Sequence, residues 1–146
     1  DEPAINSEDI KKLYNFMMKY NSEIGTLASE INEVSMLNNE NVVKVKTEEK
    51  LKNNNFVIAK NFSRDNLSKE SSNVYHHIGI YCYRVSALKK FVNLEQTKNE
   101  INNRLEQLRA IDNSIKINVA LANFSPIGID TKEDYLALKK IMEYKS

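Results

Sequence analysis

The chain has 146 residues, of which 41% are apolar, enough for one compact domain with its own core. Its 21 basic and 20 acidic side chains are spread along the chain, so no basic patch predicts binding to nucleic acid or to an anionic membrane. The single cysteine excludes an internal disulfide, no apolar run reaches the roughly 20 residues that span a bilayer, and no leader opens the chain. We therefore expect a cytoplasmic protein without a membrane partner.

Glycine is scarce and widely spaced, and no methionine opens the chain. The three glycines are Gly25, Gly79 and Gly128. A phosphate-binding loop needs several glycines within a few residues, so that backbone N–H groups can approach the anion. We therefore expect no such loop here, and we interpret residues 1–146 as a single partial domain of a longer protein.

The first element is an amphipathic helix that is capped at Asn6 or Ser7. The 3.6-residue period predicts one buried face, formed by Ile10, Leu13, Tyr14 and Met17. Further along the chain, the patterns predict strands at 23–31, 42–46, 56–63, 73–85 and 114–124, a helical turn at 34–41, and helices at 86–93, 97–111 and 129–144. On the predicted helix 97–111, the buried side is formed by Ile101, Leu105, Leu108 and Ile111. Alternating helices and strands indicate an α/β fold.

Residues 73–85, NVYHHIGIYCYRV, place two histidines and three tyrosines in one predicted strand. Residues two apart share a face of a strand, so His77, Gly79, Tyr81 and Tyr83 lie together. An imidazole and two phenols beside a glycine gap offer hydrogen bonds and space to a polyhydroxylated ligand. The alternative is a half-buried strand whose rings satisfy one another.

Carboxylates in three other segments are candidate ligands. Glu106 and Gln107 lie near Arg109 on a predicted helix, where a solvated ion pair of spacing i, i+3 is the ordinary interpretation. Asp130 ends an apolar run just before the last helix, and Asp1 opens the chain. Both aspartates have the oxygen ligands that Mg²⁺ prefers, and an ordinary turn aspartate is an equal alternative at Asp130. Neither histidine has a partner at the spacing of a zinc site.

The motifs DEP, NVVKV, FSR, HHIGIYCYR, FVNL, LEQLRAI and PIGIDTKEDY occur in this order along the chain. This series resembles the C-terminal part of the 3-deoxy-manno-octulosonate cytidylyltransferases, also called CMP-Kdo synthetases, over nearly the whole chain. Members of that family couple CTP with the acid sugar Kdo, release pyrophosphate, and form the activated sugar used to build lipopolysaccharide. The resemblance thus implies CTP and Kdo as substrates, and a homodimer.

The resemblance also implies a fold and a site. The fold is of the nucleotide-diphospho-sugar-transferase type, an α/β sandwich around a mostly parallel sheet, with its N-terminal part missing from this chain. A catalytic Mg²⁺ is held by Asp1 and Asp130. The sugar-binding residues implied by the family's motifs are Arg64, His77, Tyr81, Glu106 and Gln107. Of these, the arginine pairs with the sugar carboxylate, and the others bond the hydroxyls.

The chain departs from the family pattern in three places. Family members carry an N-terminal segment with a nucleotide-binding loop before DEP. After FSR they continue with an apolar, proline-containing stretch, whereas this chain has the polar sequence DNLSKESSN. Before LEQLR the usual SPLE reads TKNE, which keeps Glu100. We therefore expect this chain alone to be inactive.

Two alternative functions stay open at this point. One is a cytidylyltransferase for a related acid sugar, such as an amino-substituted octulosonate, because a loop can recognise a single substituent. The other is a non-catalytic remnant or assembly module that keeps the fold and the dimer surface. We also expect the chain by itself to expose apolar surface and to dimerise or aggregate.

Overall fold

The structure is a computed structural model that describes residues 5–66, 72–123 and 132–143. Its helices are α1 (Ser7–Tyr20), α2 (Val34–Leu37), α3 (Val85–Val92), α4 (Lys98–Asn103), α5 (Leu108–Asp112) and α6 (Lys132–Glu143). Its strands are β1 (Ile24–Ser29), β2 (Lys44–Thr47), β3 (Val57–Ser63), β4 (Val74–Tyr83) and β5 (Ile117–Leu121). The order and type of these elements agree with the predicted α/β pattern.

The five strands close into a barrel in the order β1–β4–β2–β3–β5. The β1–β5 pair is parallel, whereas the pairs β1–β4, β2–β3, β2–β4 and β3–β5 are antiparallel. The expected mostly parallel sheet is therefore wrong for the strands described. Parallel neighbours need a long crossover, usually a helix, and residues 48–56 between β2 and β3 contain none.

Helix α1 begins after Asn6, whose side chain caps the first turn. Leu13 and Met17 are buried, as the periodicity predicts, and they pack in a hydrophobic cluster with residues of β1, β4 and β5. Ile10 and Tyr14 are exposed, so the predicted buried face is wrong at these two positions. The buried stripe of α1 is thus narrower than its apolar sequence indicates.

A buried carboxylate fixes the first turn of α1 to the end of β5. Asp9 Oδ1 accepts a 3.0 Å hydrogen bond from the backbone N–H of Asn123. One turn later, Lys12 Nζ donates a 2.6 Å hydrogen bond to the carbonyl of Leu121. These contacts join residues more than 100 positions apart in sequence and hold α1 against the end of β5.

Strand β1 is the centre of the fold, because all six of its residues are buried. Ile24 and Ala28 belong to the larger hydrophobic cluster, and Leu27 belongs to the cluster shared with α1. Gly25 lies so close to α1 that an added Cβ would stand 2.6 Å from Met17 Sδ. This glycine is therefore required by the close approach of the helix to the strand.

The predicted helix 97–111 is divided into α4 and α5. Arg104 adopts a left-handed conformation, with φ 53° and ψ 45°, and ends α4. Because the chain turns there, Ile101 is 57% exposed, whereas Leu105 and Leu108 are buried. The expectation that Ile101 is buried is wrong, since the buried face of one continuous helix does not extend across this break.

Candidate functional site

The rings of β4 form contacts in series with rings of β3 and α3. Ring centroids are separated by 4.9 Å between Phe62 and His77, 5.5 Å between His77 and Tyr81, 5.9 Å between Tyr81 and Tyr83, and 6.0 Å between Tyr83 and Phe91. His77 is buried, and both tyrosines pack partly buried against the larger cluster. The structure thus brings the imidazole and the two phenols together, as the strand alternation predicts.

Gly79 is not part of this row of rings. The register between β1 and β4 shifts after Thr26 and leaves Gly79 and Ile80 as a two-residue bulge. Gly79 is exposed, and no atom lies within 4 Å of the place where its Cβ would be. Open space therefore lies at Gly79 itself, while the rings of His77 and Tyr81 contact each other without a gap between them.

Burial keeps the central rings of this site uncharged. Burial, assisted by the neighbouring His76, lowers the pKa of His77 from 6.5 to about 3. Burial also raises the pKa of Tyr81 well above 10, and the Tyr83 phenol and the Glu106 carboxylate act in the same direction. At neutral pH both side chains are neutral hydrogen-bonding groups, which suits contact with uncharged polar groups.

A second group of polar residues lies on α4 and α5. Arg109 holds the buried Glu100 through two hydrogen bonds, of 2.8 Å from Nε to Oε2 and 2.6 Å from Nη2 to Oε1. The predicted partner of Arg109, Glu106, is 3.5 Å away, and its side chain is 71% exposed. The predicted i, i+3 pair between Glu106 and Arg109 is therefore confirmed as an exposed contact, and the structure adds Glu100 as a second, closer and buried partner of the guanidinium.

These residues border a cleft of about 400 Å³. The cleft is lined by Gln96, Glu100, Ile101, Arg104, Leu105, Glu106 and Arg109. Gln107 follows at the N-cap position of α5 and is buried. The cleft therefore contains the predicted Glu106, next to the predicted Gln107.

Contacts around α3 connect the two groups. The guanidinium carbon of Arg109 lies 4.9 Å from the centroid of the Phe91 ring, which in turn contacts Tyr83. Burial raises the pKa of both Tyr81 and Tyr83, and the negative charge of Glu106 acts in the same direction. Predicted residues of the HIGIY and LEQLR motifs, which are about 25 positions apart in the printed sequence, thus belong to one region of the barrel.

Arg64 lies at a different place, beyond the end of β3. Its Nη1 donates hydrogen bonds of 3.2 Å and 3.3 Å to the carbonyls of Glu40 and Asn41. Its own carbonyl accepts a 2.8 Å bond from Nζ of Lys44, which also donates to the carbonyl of Asn39. The structure does not bring Arg64 into direct contact with the other four predicted sugar residues, all of which are described.

Asp1 and Asp130, the predicted metal ligands, lie outside the described residues. Within residues 5–66, 72–123 and 132–143, no three histidine, cysteine, aspartate or glutamate side chains lie close enough to share a metal ion. The described residues therefore do not by themselves supply a complete donor set for Mg²⁺.

Three residues that hold side chains of this region in place were not predicted from the sequence as site residues. Thr26 contacts His77, Lys44 holds the carbonyl of Arg64, and Glu100 binds Arg109. A polar residue inside the apolar strand IGTLAS was a usable signal for Thr26. For Lys44, only the strand alternation of VVKVK was available, and it does not show which face is buried.

The family model that describes the cytidylyltransferases matches residues 1–117. The chain belongs to the cytidylyltransferase family. It is 38% identical to a protein of Thermodesulfovibrio yellowstonii and 33% identical to one of Bartonella bacilliformis, each named 3-deoxy-manno-octulosonate cytidylyltransferase. These matches cover 97% of this chain but 57% and 58% of the relatives, so the chain spans little more than half of their length.

Two solved structures support the fold assignment. A CMP:2-keto-3-deoxy-manno-octonic acid synthetase complexed with CTP superposes with a TM-score of 0.85 at 24% identity, over the whole of this chain and 60% of that one. A UTP-bound UGPase from Acinetobacter baumannii superposes with a TM-score of 0.64 at 9% identity, over 96% of this chain and 46% of that one. Among the helices described, none has the length and hydropathy needed to cross a membrane.

Proposed function

We propose that the protein containing this chain couples CTP with Kdo, giving CMP-Kdo and pyrophosphate for lipopolysaccharide biosynthesis in the cytoplasm. The observation that carries the proposal is the match of 97% of the chain to relatives named for that reaction. The contact between His77 and Tyr81, with the charge of Glu106 acting on Tyr81, supports it because these residues come from the two motifs of the sugar pocket.

In this proposal, the described residues bind and orient the sugar. His77 and Tyr81 are uncharged at neutral pH and bond its hydroxyls, and Glu106 and Gln107 bond it from the side of α5. Arg64 pairs with its carboxylate, since a guanidinium gives strong charge-assisted bonds to such a group. Holding a hydroxyl of the sugar in line with the α-phosphate of CTP lowers the entropic part of the barrier.

We further propose Mg²⁺ as the cofactor, with Asp1 and Asp130 as its ligands. The ion would neutralise charge on the phosphates when bound. Support comes from the bond between Asp9 and Asn123, which lie eight and seven residues along the sequence from Asp1 and Asp130. A homodimer is also proposed, and the exposed apolar side chains Val85, Leu88 and Val92 on α3 are available for such contacts.

The test is pyrophosphate release by the protein at its natural length, with CTP, Kdo and Mg²⁺. We expect turnover that needs all three and that is lost in D130N. Turnover with an amino-substituted octulosonate but not with Kdo would show that the related sugar, not Kdo, is the substrate. Absence of turnover and of Kdo binding by isothermal titration would contradict the proposal and favour a non-catalytic protein. Light scattering tests the homodimer, which a monodisperse monomer would refute.

A further inference from the structure

The hydroxyl of Thr26 lies among three polar groups inside the barrel. Its Oγ1 is 2.7 Å from the carbonyl oxygen of Ile80, 3.3 Å from that of Ile78, and 3.0 Å from Nε2 of His77. Thr26 itself is completely buried, so no water competes for these contacts. The two-residue bulge of β4 places both carbonyls near one threonine, because the strand takes two additional residues opposite this point of β1.

The proton count at this hydroxyl has one solution. A threonine hydroxyl has a single proton to donate, and a carbonyl oxygen can only accept. If that proton were directed at His77, the oxygens of Thr26 and Ile80 would face each other at 2.7 Å without a proton between them. The hydroxyl therefore donates to the Ile80 carbonyl, and its oxygen accepts a hydrogen bond from Nε2–H of His77.

We propose that Thr26 is a positioning residue that holds neutral His77 in the Nε2–H tautomer, which makes Nδ1 the acceptor for a hydroxyl of the sugar. A neutral imidazole carries one proton, so fixing it on Nε2 leaves a lone pair on Nδ1. Thr26 acts only through His77. The assignment of the sugar to His77 rests on the proposed function, whereas the tautomer follows from the hydrogen bonds of Thr26.

This arrangement has a consequence for specificity. An Nδ1 lone pair accepts from a hydroxyl and repels an oxyanion, so the ring selects a hydroxyl-bearing part of the ligand. The low pKa of His77 supports this, since a ring that stays neutral does not become an anion-binding imidazolium near neutral pH. The carboxylate of an acid sugar is thereby left to a cationic group such as Arg64, which orients the sugar in one direction.

The direct test is nitrogen NMR of the protein at its natural length, labelled with ¹⁵N-histidine and without ligand. An H77Q variant identifies the signals of His77. We expect Nε2 to appear as a protonated nitrogen and Nδ1 as an unprotonated one near neutral pH. The reverse pattern, or two protonated nitrogens, would overturn the inference.

Two variants of Thr26 test the cause. T26S keeps the hydroxyl and should keep the Nε2–H signals, whereas T26V is isosteric, lacks the hydroxyl and should show a mixture of tautomers. We expect T26V to raise KM for Kdo by about three- to tenfold, as the loss of one neutral hydrogen bond predicts. KM for CTP should change by less than about twofold. T26S, which keeps the hydroxyl, should have a KM for Kdo like that of the unmodified protein. Folded T26V with unchanged tautomer signals and KM would contradict the role. If T26V does not fold, the spectra of the unmodified protein and T26S decide.

The same measurements separate this inference from the proposed function. Nε2–H signals in a protein that does not bind Kdo would refute the proposed function and leave the tautomer assignment correct. Turnover of Kdo by a protein whose His77 is protonated on Nδ1 would refute the inference and leave the function correct.

Discussion

Arg109 and Glu100 join α4 to α5 through a two-point ion pair, with bonds of 2.8 Å and 2.6 Å, in which both side chains are largely buried. The Arg109 guanidinium is the main reason that the pKa of Glu100 lies below its usual value. Arg109 also contacts the Phe91 ring of α3. This pair therefore holds the cleft beside Glu106 in place, although the helix is broken at Arg104.

Replacing Arg109 should leave the buried carboxylate of Glu100 without its partner. We expect R109M to lower the free energy of unfolding by about 3 kcal/mol, because breaking a buried pair costs more than the pair itself contributes. Urea unfolding measures this change. The matched control is E106Q, which affects an exposed carboxylate and should change stability by less than about 0.5 kcal/mol. Equal effects of the two substitutions would show that Arg109 is not held by Glu100.

The two described glycines should respond differently to alanine. A Cβ at Gly25 would stand 2.6 Å from Met17 Sδ and 2.8 Å from Phe56 Cζ, so G25A should destabilise the fold by about 1 to 3 kcal/mol. G79A is the control, because its Cβ meets no atom within 4 Å and its φ is not positive. Thermal unfolding of both variants checks this. A lower melting temperature for G79A than for G25A would contradict the described approach of α1 to β1.

Acid should weaken the fold before the carboxylates titrate. Burial lowers the pKa of His77 from 6.5 to about 3, so between pH 6.5 and pH 3 the unfolded chain binds a proton that the folded chain does not. The pKa of His76 is also lowered, by burial and by Lys44. The stabilising contribution of neutral His77 is therefore fully present above pH 6.5, and it falls with decreasing pH by about 1.4 kcal/mol per pH unit. His76 contributes with the same sign.

Urea unfolding between about pH 4.5 and about pH 7.5 measures this effect separately from that of Glu100. Because the pKa of Glu100 lies below 4.5, its stabilising effect is lost only below this interval. H77Q is the matched variant and should reduce the slope by about 1.4 kcal/mol per unit. A free energy of unfolding that is constant across this interval in the unmodified protein would show that His77 is not buried as described.

Lys44 should matter to Arg64 although it is not a predicted ligand. It is 1% exposed, and burial lowers its pKa. K44M would leave the carbonyls of Arg64 and Asn39 without their donor, and we expect a loss of about 1 to 3 kcal/mol of stability and a higher KM for Kdo. K46M is the control, because Lys46 lies two residues further along the same strand and is exposed. Unchanged stability and KM in K44M would contradict this anchoring role.

Local patterns were sufficient to predict most of the elements. The cap at Asn6, the strand character of β5 and the shared face of His77 and Tyr81 all depend on residues close together in sequence. The family motifs likewise lie in short segments. The predictions that were wrong depended on non-local contacts, such as the exposure of Ile10 on α1 and the strand directions in the barrel.

The left-handed conformation of Arg104 illustrates the limit of local patterns. Helix breaks of this kind are usually marked by glycine, and an arginine at this position gives no such signal. The partner of Arg109 could not be chosen for the same reason: Glu106 is nearer in sequence, but the break presents Glu100 to the guanidinium. Arg109 contacts both carboxylates, and the geometry of the break makes the buried Glu100 the closer partner.

The amino-acid sequence by itself determined the α/β character of the chain, the family to which it belongs and the residue types available for a sugar. Only the tertiary structure decided that the strands form a mostly antiparallel barrel, that Lys44 is buried, and that Thr26 fixes the proton of His77. The physical reason is that periodicity reports which residues can share a face, whereas pairing, burial and the position of a proton depend on groups brought together from distant parts of the chain.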